Sequence, residues 1–156
     1  MLRRNESARQ RWGGHHQSLD HWLEERQEML VQYCRMAGLP PYKSADGLPS
    51  TTDIKAFCEV LVDYVSTGHF EIYEHLLTQA DVQSETARAT AVQVYPLITV
   101  TTERVLNFND KYAEVNENDP LREFDNDLSA LGEALEVRME LEDRLLHALE
   151  EQAVFA

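Results

Sequence analysis

From Leu121 onward, apolar side chains return at alternating intervals of three and four: Leu121, Phe124, Leu128, Leu131 and Leu135 form one line, which Leu145 and Leu149 resume. That period belongs to an α-helix with one buried face, and such a face needs partners to cover it. No stretch of the chain alternates apolar and polar residues as a half-buried strand does. No Asn-Gly or Asp-Gly pair separates β-branched runs, since Asp46-Gly47 sits in a polar loop. The cover is therefore expected to be helical.

Other segments supply it. Leu19, Trp22, Leu23, Leu30, Tyr33 and Ala37 predict a helix over roughly Ser18 to Met36, stopped by Gly38 and Pro40-Pro41. Pro40 to Thr52 reads as a loop, after which Ser50 to Asp53 offers an N-cap with an acid in the first turn. Leu61, Tyr64 and Val65 mark one apolar face, and Phe70, Tyr73 and Leu77 another, so Gly68 is expected to cap or kink the helix between them. A further helix is expected to about Ala80, then a long one from Ser84-Glu85 through Ala91, Val94, Ile98, Val105 and Tyr112, kinked by Pro96 near residues 92–95. Asn118-Asp119-Pro120 reads as the start of the last helix, with Asp119 as N-cap. Gly13-Gly14 separates a short N-terminal segment around Trp12. The expected architecture is an all-α antiparallel bundle of four main helices, one broken at Gly68, in a single domain over residues 1–156.

The seam of the last helix carries an anomaly. Its next two positions after Leu135 are Arg138 and Glu142. At i and i+4 the two charges can pair, and Tyr64, Tyr73 or His69 can complete a buried polar layer. The alternative shifts the seam onto Met139 and Leu146 and leaves both charges in water, because seven residues do not match two turns of an untwisted helix.

Acidic side chains number 28 and basic ones 14, a formal charge of −14. Phosphate contact needs a lysine and arginine footprint, so direct nucleic-acid binding is not expected, and a basic protein is the better-matched partner. Cys34 and Cys58 have no metal-binding spacing and read as buried free thiols. No run is long enough to span a bilayer, and Arg3-Arg4 is followed by no apolar stretch of the kind a signal peptide carries, so a cytoplasmic protein is expected.

Enzyme motifs are missing as well. A di-iron bundle needs Glu-x-x-His, and none of His15, His16, His21, His69, His75 or His147 has a glutamate three residues before it. H-E-x-x-H, G-x-S-x-G and a glycine-rich phosphate loop are also lacking, so neither catalysis, metal nor cofactor is expected. A phosphotransfer bundle using His69 or His15-His16 is the alternative, although His69 is followed by Phe70-Glu71-Ile72, an acidic and apolar surround rather than a positive one.

Three stretches carry a family resemblance. Leu61 to Glu74 (LVDYVSTGHFEIYE), Leu131 to Arg138 (LGEALEVR) and Leu141-Glu142-Asp143 resemble the Rsd/AlgQ family of bacterial anti-sigma factors. Arg11-Trp12-Gly13-Gly14 and Leu19 to Arg26 (LDHWLEER) resemble its AlgQ branch especially. The resemblance implies a helical protein that binds the C-terminal, promoter-reading domain of the primary sigma factor one to one. Such binding blocks that domain's contacts with core polymerase and promoter DNA in stationary phase. It implies that Asp63 accepts an arginine of sigma, and it brings in Asp20 and Trp22 from the N-terminal helix and His69 and Glu71 from the central motif. Trp22 also lies on the apolar stripe, where a core role suits it better than a partner contact.

Overall fold

The computed structural model of the chain describes residues 1–14, 17–39, 42, 48–73 and 85–151, the side chains of 71, 86, 87 and 149–151 excepted. Five α-helices and one π-helical segment account for most of them: α1 (Leu2–Trp12), α2 (Gln17–Ala37), α3 (Thr51–Thr67), the π-helix Gly68–Tyr73, α4 (Glu85–Tyr112) and α5 (Phe124–Glu151). No strand occurs among the described residues. The remainder of the helix expected to reach Ala80, beyond Tyr73, and the side chain of Leu149 lie outside them.

The short N-terminal segment is a helix in its own right. It packs on α2 and α5 through Asn5, Ala8 and Trp12, and Asn5 Nδ2 donates to Gln27 Oε1 at 2.9 Å. The chain then reverses at Gly14, whose φ of 84° is the left-handed conformation that glycine adopts without penalty. Helix α2 ends as its sequence predicts. Gly38 takes φ 66°, its N–H reaches the Arg35 carbonyl, and the Leu39 N–H reaches that of Cys34, the paired bonds of a Schellman cap. Ser50 caps α3 by accepting from the Asp53 N–H at 3.1 Å.

Two boundaries differ from expectation. Helix α5 begins at Phe124, not at Pro120, because the Asp119 carboxylate turns back to accept from the Asn116 N–H at 2.7 Å and closes a local turn rather than capping a helix. At Gly68 the break is a change of winding: φ −56° and ψ −49° keep the backbone right-handed while the α-helix gives way to π. Helix α4 remains one element across Pro96, whose ring lies on the exposed side.

The buried side chains of these elements form one cluster, in which α4 and α5 make the most extensive contact. Their partner α2 comes close enough that Gly132 is required. A Cβ there would stand 2.0 Å from the Tyr33 hydroxyl, which donates to the Leu128 carbonyl. Cys34 and Cys58 are free and buried, and burial pushes the Cys58 thiol up to about 11.

Candidate partner surface and the polar layer beneath it

Arg138 and Glu142 are both 0% exposed, and Arg26 from α2 joins them at 0%. The seam does not slide off its charges; it converges on them. Glu142 accepts from the hydroxyl of Tyr64 on α3 through Oε1 and from that of Tyr73 on the π-helix through Oε2. Arg138 Nε lies 3.3 Å from Glu142 Oε2, and its two terminal nitrogens donate to the Tyr73 hydroxyl at 3.2 Å and to Thr101 and Thr102 of α4 at 3.1 and 2.7 Å. Arg26 stands 3.6 Å from Glu142 Oε1 and donates through both terminal nitrogens to Asp143 Oδ1 at 3.1 Å. Two guanidinium groups thus face two carboxylates, so the layer is neutral as a unit. That is the condition under which buried charge is tolerated.

Titration behaviour follows from this packing. Desolvation is the main reason that Tyr64 and Tyr73 hold their protons well above the usual phenol range, and Glu142 adds to it. For Arg26 and Arg138 burial opposes the charge. The acids and tyrosines around them outweigh it, and both pKa values rise. The phenols therefore act as neutral donors and the guanidinium groups as permanent cations.

The layer also sets the winding at Gly68. Tyr73 follows Tyr64 by nine residues, about two and a half α-helical turns, which would put the two rings on opposite faces. The wider π winding brings Tyr73 back to the same carboxylate. A side chain at Gly68 would be tight, since Trp22 Nε1 and the Tyr73 hydroxyl would each stand 3.1 Å from its Cβ.

Over this layer α2 and α3 form a shallow groove lined by His21, Glu25 and Glu28 on one side and Val60, Asp63, Ser66 and Thr67 on the other. Glu25 is held in place, accepting from Thr67 Oγ1 at 2.8 Å and lying 2.8 Å from His21 Nε2. Asp63 and Glu28 are exposed, and one turn beyond Ser66 the π-helix presents Phe70, 66% exposed. The groove is acidic, and the π-helix that follows α3 carries one exposed large apolar side chain.

The residues singled out in the sequence fall in different places. Asp63 lines the groove. Asp20 does not; its carboxylate closes the α1–α2 connection by accepting from the Gly14 N–H at 2.7 Å. Trp22, expected at a partner surface, is 0% exposed, stacked on Tyr64 and edge-on to Tyr73. It is a core residue because it fills the space beside Gly68. His69 is half-buried, with Nδ1 2.8 Å from the Tyr95 hydroxyl, and joins the π-helix to α4. The Glu71 side chain, His15, His16 and His75 lie outside the described residues. Phe70 and Glu28 were not singled out for the surface, nor Arg26 for the layer. Arg26 had a signal, since it occupies the gap between Leu23 and Leu30 on the stripe of α2. Among the described residues no group of three or more His, Cys, Asp or Glu gathers as a metal site would, and no helix is long and apolar enough to cross a membrane.

Two outcomes follow from the layer. Arg138→Ala strands Glu142 without its nearest cation and is expected to cost about 3–5 kcal/mol in urea denaturation, a loss within about 0.5 kcal/mol being the contrary result. Tyr64, Tyr73 and Cys58 have folded-state pKa values raised above their unfolded ones. The unfolded chain therefore releases these protons first as pH rises, binds fewer protons than the native state, and gains on it. Stability should be indifferent to these groups at neutral pH and fall from about pH 9 upward as the unfolded-state thiol and then the phenols ionise. Denaturation midpoints that stay level to pH 11 would contradict this.

Comparison with known proteins places the chain. A family model described as "Regulator of RNA polymerase sigma(70) subunit, Rsd/AlgQ" matches residues 1–150. Curated relatives named "Regulator of sigma D" include one from Yersinia enterocolitica, 39% identical over 94% of this chain and 88% of its own length. Another, from Pectobacterium atrosepticum, is 37% identical over 94% and 96%. With a family match over nearly the whole chain and relatives above one third identical along it, the chain belongs to the Rsd/AlgQ family of RNA polymerase sigma(70) regulators.

Proposed function

We propose that this protein is a cytoplasmic anti-sigma factor that binds the C-terminal domain of the primary sigma factor one to one and keeps it from core polymerase and promoter DNA in stationary phase. The observation that carries the reading is the α2–α3 groove, lined by exposed Asp63 and Glu28, with Phe70 exposed on the π-helix that follows α3. A promoter-reading domain is a helix-turn-helix, basic where it meets phosphates. An acidic groove complements that surface by charge, and an exposed aromatic side chain supplies an apolar contact. The excess of acid over the whole chain steers the encounter. Sequestration by competition requires no chemical step, in keeping with a regulator family.

Calorimetric titration with the isolated C-terminal domain of the primary sigma factor, at physiological salt, tests the proposal. Saturable binding near one to one is expected. Asp63→Arg should weaken it at least about tenfold, Phe70→Ala by about 2 kcal/mol or more, and added salt progressively. An absence of binding by calorimetry and by a second method would overturn the reading. Unchanged affinity in Asp63→Arg would move the interface elsewhere.

A further inference from the structure

Basic residues are not spread evenly over this acidic chain. Four of the 14 lie in α1, namely Arg3, Arg4, Arg9 and Arg11, against the single acid Glu6. Three of them converge. Arg3, Arg4, Ser7 and Arg11 are exposed along the rim of a cleft between α1 and α5, floored by Ala8, Trp12 and Asp143. From these positions we infer that the cleft binds a small anion carrying two or more phosphate groups.

The guanidinium fork matches phosphate oxygens in pairs, and a serine hydroxyl adds a donor between the forks. Arg4 and Arg11 leave α1 about 10 Å apart along its axis. A linear triphosphate can give each of them a phosphate of its own. The present contact of Arg4 can be exchanged at little cost. Arg4 lies 3.3 Å from Asp143 Oδ2 with its side chain 45% exposed, and Arg11 meets His147 Nδ1 at 2.9 Å on the surface. Exposed contacts of this kind contribute little. Asp143 is not stranded when Arg4 leaves, because Arg26 holds it from below with two bonds at 3.1 Å. Asp143 repels an anion, and pairing with several guanidinium groups at once offsets that repulsion. An oligophosphate offers such multiple pairing, and a lone carboxylate or phosphate offers less of it. The α1–α5 cleft is formed by a different helix pair from the α2–α3 groove, so the inference stands apart from sigma binding.

Titration of the full chain with inorganic triphosphate, without divalent cations and at physiological salt, reads the site directly. Saturable binding near one to one is expected, weakened at least about tenfold in Arg4→Gln/Arg11→Gln. It should be little changed in Arg104→Gln/Arg122→Gln, which removes the same charge from exposed positions elsewhere. Circular dichroism establishes that both variants fold. Absence of saturable binding to the unaltered chain would overturn the inference, as would equal weakening in the two variants, which marks a general response to charge.

Discussion

One buried carboxylate organises this protein. Glu142 collects a hydroxyl from α3, a hydroxyl from the π-helix and guanidinium groups from α2 and α5, and through Arg138 the contact extends to α4. Taking such groups out of water costs several kcal/mol per ion, offset only when every partner is in place. Replacing a complete set by apolar side chains is often neutral, whereas losing one member strands the rest. The layer thus adds little to the depth of the native state. It raises the energy of packings in which a helix slips by a turn, because a slip leaves charges unpaired.

That constraint reaches the surface through the π-helix. Tyr73 must meet the same carboxylate as Tyr64, Gly68 must let Trp22 and the Tyr73 hydroxyl approach its Cα, and the backbone satisfies both by widening its turn. With Ile72 and Tyr73 drawn inward at 1% exposure, Phe70 is left outward at 66%. The exposure of Phe70 is therefore a consequence of the core.

Much of the fold was legible in the sequence because the signals were local. The stripe of α2, its stop at Gly38 and the Ser50 cap each depend on residues within one or two turns. Asp119 misled because a carboxylate beside proline serves a tight turn as well as a cap, and only the Asn116 N–H distinguishes them. The buried pair was visible as an interruption of the α5 seam, and Arg26 as a gap in the α2 stripe. That they meet was not visible, since residues 26 and 142 come together only through the packing of α2 on α5. The groove was partly legible. Asp63 came from a family likeness, while Glu25, Glu28 and Phe70 depend on which side of each helix faces outward. Trp22 shows the converse: a residue within a recognised motif that proves to be core.

The central claim is that the bond from Tyr73 to Glu142 holds the π-helical turn in place. Amide hydrogen exchange measured residue by residue in Tyr73→Phe, against the unaltered chain, tests it most directly. The account predicts exchange at least about tenfold faster across residues 68–73, with α4 and α5 keeping their protection. Unchanged protection of that segment would show that packing alone sets the turn and would contradict the account.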